Sequence, residues 1–195
     1  PRAVTLPSGP PSGSPRPRRH DPGRRERLID VTLDVIAENG VAGTTHRKVA
    51  AAANVPLGSM TYHFQGLDDL LAAAFTKLAD ITADGFEAAL SSADGPGQAR
   101  EAVVGLITGD LLGERRSILL TYELYALAAR HPNLRQVTDT WMARSRTALE
   151  RHFDPETARM LDALIEGLSI HRALALNPMP IETVREAVDR VAPDS

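Results

Sequence analysis

Residues 44–64 read TTHRKVAAAANVPLGSMTYHF, and the fold follows from how that stretch must turn. Thr44 or Thr45 can accept from the unpaired amides of a helix that begins at His46 and runs to Ala53. Val49, Ala50 and Ala53 give this helix an apolar inner face at three- and four-residue steps. Asn54 stands where the chain must reverse, and asparagine accepts a positive φ more readily than other non-glycine residues. Val55 plugs the corner. Pro56 suits the first turn of another helix, where its missing amide costs nothing. That helix covers residues 56–63, and Phe64 closes it. The small Ala50 lets two helices cross closely, while Met60 turns inward. Leu57, Ser59, Thr61, Tyr62 and His63 are left facing outward. Hydroxyls and an imidazole without an acid suit base edges and phosphates. An ordinary helical hairpin would more often show Glu and Lys there.

Outward from this motif the chain reads as helix throughout. Alanine and leucine dominate, favouring helix over sheet. Before the motif, a helix over residues 24–38 repeats Leu28, Val31, Thr32, Val35 and Ile36 on one face, and Asn39-Gly40 ends it. Residues 1–22 are rich in Pro, Gly, Ser and Arg and cannot bury enough surface to offset their ordering entropy. A flexible basic arm is expected there, with Arg16, Arg18 and Arg19 near its end. Such an arm either lies along DNA or merely keeps a tail in solution. Charge is divided along the chain. Residues 1–67 hold 9 Lys and Arg against 5 Asp and Glu, net +4; the remainder holds 13 against 20, net −7. A polyanion partner is thereby suggested for the amino-terminal third alone.

After the motif a longer helix is expected over residues 67–90, linking the reading head to a body so that its tilt would move the head. The run SSADGPG at residues 91–97 is a loop. Helices over 98–112, 117–130, 134–152, 155–176 and 181–191 follow, interrupted near Gly113, at His131-Pro132 and at Asn177-Pro178-Met179-Pro180. Asp154 is placed to cap the helix that Pro155 opens.

These residues together resemble the TetR family of transcriptional regulators. The resemblance rests on the apolar first helix ending in Asn39-Gly40, then Thr44-Thr45, Arg47-Lys48-Val49-Ala50, residues 53–55, Gly58, His63-Phe64 and Asp68-Asp69-Leu70-Leu71. It covers residues 24–84 closely and the rest by helical layout. Four positions depart from the family's habit. Asn54 replaces the turn glycine, Pro56 replaces a serine, Thr61 stands where an aromatic is common, with Tyr62 beside it, and Leu67 replaces a basic residue. The last change leaves Gln65 or the following helix's amides to meet a phosphate.

The resemblance implies an all-α chain, a three-helix DNA-binding head with a helix-turn-helix and a larger helical ligand-binding and dimerisation body. The expected divisions are a basic arm over residues 1–22, a DNA-binding domain over 23–84 with its motif at 45–64, and an effector-binding and dimerisation domain over 85–195. It implies a homodimeric, cytoplasmic regulator, a repressor released by a small-molecule effector, on a near-palindromic operator. A ligand-responsive activator of the same fold is the alternative. Contact with double-stranded DNA is expected from Thr45, Arg47, Lys48, Leu57, Gly58, Ser59, Thr61, Tyr62 and His63.

In the body, Phe86, Tyr122, Glu123, Tyr125, Trp141 and Met142 combine aromatic and isolated polar groups, as an effector cavity would; taken singly, such a residue is more often ordinary core. The last two long helices offer Leu161, Leu164, Leu168, His171, Ile181, Val184 and Val188 to a symmetry mate, or to the closure of the monomer's own core.

An α-helical enzyme is the competing class, and little supports it. The chain has no cysteine, so thiolate chemistry is excluded. His131, His152 and His171 lack partners at metal-ligand spacing, so no metal or cofactor is expected. No glycine-rich phosphate loop and no G-x-S-x-G occurs. A helix-turn-helix used only for protein contacts is a third reading. No apolar run reaches the roughly 18 residues that span a bilayer, and the first residues lack a signal peptide's apolar centre.

Overall fold

The computed structural model describes residues 22–109, 111 and 114–193, and the expected basic arm falls outside them save for Pro22. Among the described residues every regular element is helical. The head holds α1 (Arg24–Asn39), α2 (His46–Ala52) and α3 (Gly58–His63). The body follows with α4 (Leu67–Ser91), α5 (Pro96–Thr108), α6 (Arg115–Arg130), α7 (Pro132–Leu149), α8 (Pro155–Leu174) and α9 (Ile181–Val191).

Helix ends follow the local chemistry. Gly40 closes α1 at φ 68° and ψ 169°, a region that is essentially glycine's alone. Asp154 Oδ1 accepts from the amides of Glu156 and Thr157 at 3.0 and 3.1 Å and opens α8. Prolines at the first turn move two starts forward of expectation: α5 begins at Pro96 and α7 at Pro132. α5 also stops at Thr108, where Gly109 takes an extended conformation.

α4 is the spine. Its 25 residues run about 37 Å at the usual helical rise. Its first turns pack on α1 and its length lies against α7, with α5 at its far end. Two buried apolar clusters divide along it, between Ala83 and Phe86. The first joins Leu28, Ile36, Val49 and Met60 of the head to Leu120, Leu124 and Trp141 of the body. The second gathers Phe86 and Leu90 with Val103, Ile107, Leu149 and Leu161, and with Val184 and Val188 of α9. The head therefore has no core of its own; it shares one with α6 and α7.

Candidate DNA-reading face and effector cavity

The helix-turn-helix is built from short-range bonds. Thr45 caps α2, its hydroxyl accepting from the Lys48 amide at 3.2 Å, while the Thr44 hydroxyl is buried and donates to the Gly40 carbonyl at 2.8 Å. Asn54 takes φ 52° and is the one non-glycine residue with positive φ among those described. The Val55 amide returns to the Ala50 carbonyl at 3.0 Å, fixing the corner. Val55 and Pro56 lie outside any helix and Leu57 makes a turn before α3 starts at Gly58, so Pro56 precedes the helix rather than opening it.

α3 buries Met60 completely and turns Leu57, Gly58, Thr61 and Tyr62 to solvent; Ser59 and His63 are half-buried. Tyr62 is 81% exposed, so its ring edge and hydroxyl are open to a partner. Its ring meets the edge of His63 at 4.9 Å, and the Thr61 hydroxyl donates to the Gly58 carbonyl. Arg47 is exposed with no carboxylate at hand among the described residues, whereas the Lys48 ammonium donates to Asn39 Oδ1 at 3.1 Å. Arg25 lies over the Phe64 ring at 5.3 Å, which braces the end of α3 against α1. The Gln65 amide is taken by Asp69 Oδ2 at 3.0 Å, so its side chain is the part of Gln65 left for a phosphate.

Five of the six expected effector residues converge. Phe86, Tyr122, Tyr125, Trp141 and Met142 line a cavity of about 60 Å³ between α4, α6, α7 and α8. Tyr125 and Trp141 lie nearly parallel at 6.0 Å. α8 closes the cavity with polar groups that sequence reasoning missed, Asp162, Glu166 and Ser169. Their spacing of four and three residues was the available signal, a polar stripe inside an apolar helix. Burial pushes the Asp162 carboxyl up to about 6, against the pull of Arg146, whose Nη1 stands 3.6 Å from its Oδ2. Burial also raises the Tyr125 hydroxyl well above the ordinary phenol range, assisted by the nearby Glu166 carboxylate. The hydroxyls of Tyr122 and Ser169 are buried without a partner. Orphaned polar atoms in an aromatic pocket are what a visiting molecule can satisfy.

Glu123 does not join them. It points the other way from Tyr122, into the head, where its Oε2 accepts from the Val41 amide at 3.1 Å. The fit is tight: a Cβ on Gly40 would stand 2.8 Å from Glu123 Oε1. The same helix holds α1 a second time, through Arg116 and Asp34 at 2.6 Å.

The expected dimer residues separate into two groups. Leu161, Val184 and Val188 are fully buried within one chain, because α9 folds its apolar stripe onto α5 and α8, so they are not available to a symmetry mate. Leu164 and Leu168 are half-buried, while His171 and Ile181 are exposed. Met160, Leu174 and Leu176, also exposed, extend this surface.

Two family models match the chain. The one described as bacterial regulatory proteins, tetR family, covers residues 28–74, and the tetracyclin repressor-like C-terminal domain covers residues 94–194. The HTH-type transcriptional regulator BetI of Burkholderia mallei is 30% identical over 165 residues, 80% of this chain and 85% of that protein. BetI 1 of Chromohalobacter salexigens is 28% identical over 176 residues, 85% of this chain and 86% of that one. Among solved structures, a candidate transcriptional regulator from Streptomyces coelicolor A3(2) superposes with a TM-score of 0.83 at 50% identity, covering 89% of this chain and all of that one (100%). The multidrug binding protein EbrR, solved with ethidium, gives a TM-score of 0.71 at 40% identity over 88% of this chain and 99% of that one.

Proposed function

The chain belongs to the TetR family of bacterial regulatory proteins, and on that premise we propose that it is a homodimeric repressor released by a small-molecule effector. It is a transcriptional regulator with a DNA-binding helix-turn-helix, not an enzyme. The observation that carries the finer reading is the pair Tyr122 and Glu123. Neighbours on α6, one faces the cavity and the other holds the head's Val41 amide.

Two copies of α3, one per protomer, would enter successive major grooves on one face of the duplex, about 34 Å or slightly more apart. Ser59, Thr61, Tyr62 and His63 are assigned to base edges or adjacent phosphates, with Leu57 and Gly58 at the groove floor. Thr45, Arg47 and Lys48 are assigned to the backbone. The α8 surface bearing Leu164, Leu168, His171 and Leu174, with Ile181 of α9, is assigned to the dimer.

Effector release requires a ligand that prefers one spacing of the heads over another. A cavity of about 60 Å³ holds little more than water, so a larger molecule must part the helices that line it, and α6 is one of the four. That motion would draw Glu123 with it and disturb the head. The solved complexes of EbrR with ethidium, proflavin and malachite green support a small-molecule effector. The place of action would be the cytoplasm, where the DNA lies.

Selection of bound DNA from a random pool tests the head and the dimer together. An inverted repeat with half-sites one helical turn apart is the expected product; a single unrepeated site would end the dimer reading. On the selected site, Arg47→Ala should weaken all sequences alike and reduce the salt slope by about one, whereas Thr61→Ala should change the preferred bases.

A further inference from the structure

The cavity's walls are unlike one another. On one side stand ring faces, Phe86, Tyr122, Tyr125 and Trp141. On the other, one turn apart on α8, stand Asp162 and Glu166. Arg146 is committed to Asp162 at 3.6 Å. Among the described residues no basic side chain pairs with Glu166, whose carboxylate lies near the Tyr125 hydroxyl. A carboxylate, half-buried, that lines one cavity with electron-rich ring faces attracts a cation from two directions at once. An anion there would meet two carboxylates, and a neutral molecule would leave Glu166 without a counter-ion.

We propose that the effector is an organic cation with a flat apolar body, its charge held by Glu166 and Asp162 and its body laid between Tyr125, Trp141 and Phe86. The inference rests on the assignment of this cavity as the effector site. The unpartnered hydroxyls of Tyr122 and Ser169 give a polar edge of the same ligand somewhere to bond.

Binding should also be coupled to a proton. The charged and titratable groups facing Asp162 are Arg146 from α7, Glu166 on its own helix, and the Tyr122 and Tyr125 hydroxyls from α6. Both hydroxyls are held above their ordinary range and stay neutral near neutrality. With the free carboxyl at about 6, a cation favours its ionised form, so uptake releases a proton and affinity rises with pH.

Three tricyclic probes of equal size separate these claims: 10-methylacridinium, acridine kept neutral at about pH 8, and acridine-9-carboxylate. Trp141, the chain's one tryptophan, lines the cavity and reports their entry by quenching. The expected order is the cation at least about tenfold tighter than either other ring, with Glu166→Gln erasing about tenfold of that preference. The fixed-charge cation should bind up to about tenfold more weakly at about pH 5 than at about pH 8, and Asp162→Asn should flatten the profile. Cooperative thermal unfolding of each variant shows that it is folded. Equal binding of all three rings, preference for the carboxylate, or indifference to Glu166→Gln overturns the cation assignment and leaves the cavity standing as an effector site. If no ring quenches Trp141 or shifts the melting temperature, the cavity assignment falls and the inference with it.

Discussion

The head and the body solve different problems with the same secondary structure. In the head, short helices are held by bonds between residues close in sequence: Thr45 to Lys48, Val55 to Ala50, Thr44 to Gly40. Its outward face is unpartnered because a partner must come from outside. In the body, long helices leave unpartnered groups inward, the Tyr122 and Ser169 hydroxyls. One region reads a rigid surface; the other keeps a space. Between them lies a seam with two polar ties, Glu123 to Val41 and Arg116 to Asp34, over a continuous apolar core. A rigid reader on a shared core can be moved by the body without first being unfolded.

The sharpest way to break that comparison is to attack the shared core. Leu124 is on α6 yet fully buried in the cluster that contains Leu28 and Met60. Leu124→Ala should cost about 2–5 kcal/mol, and the helicity of head and body should still be lost in a single transition. Two transitions, with the head melting at its wild-type temperature, would mean that the head folds on a core of its own.

This is also where sequence reading reached its limit. Asn39-Gly40, Thr45 and Asn54 were legible because caps and turns depend on near neighbours. Asp162, Glu166 and Ser169 were not, because their meaning depends on which neighbour α8 receives on that side. Val184 and Val188 show the same limit from the other direction. Periodicity marks them as buried, but only the placement of α9 decides whether they are buried by their own chain or by a second copy. Glu123 is grouped with the cavity as an isolated polar residue among aromatics, yet it and Tyr122, as neighbours on a helix, point about 100° apart.

Gly40 sharpens the seam. Its φ 68° and ψ 169° belong to glycine, and an added methyl would also press on Glu123. Gly40→Ala should cost about 1–3 kcal/mol. Combined with Glu123→Ala, the loss should be less than additive, since one variant removes the atom that the other collides with. Strict additivity, measured by thermal or denaturant unfolding, would assign the whole cost to backbone conformation. Thr45→Ala comes next, at about 1 kcal/mol for the lost cap of α2. Its effect should stay local: hydrogen exchange should speed in α2 and not in α8. Faster exchange in α8 would show that the head's local bonds are felt in the cavity.

The smallest effect is expected at the seam's other tie. Arg116 Nη2 and Asp34 Oδ1 are only 2.6 Å apart, but their side chains are 44% and 61% exposed, so solvent and salt screen them. Arg116→Ala should therefore cost only about 0.2–1 kcal/mol, less in high salt, and should leave effector response intact. Glu123 is the contrast, because it accepts from a backbone amide, and Glu123→Ala strands the Val41 N–H in a partly buried place. If Arg116→Ala instead uncouples DNA release from effector binding while Glu123→Ala does not, the signal crosses the seam by charge at the start of α6. The carboxylate beside Tyr122 would then be a brace for the Gly40 turn and nothing more.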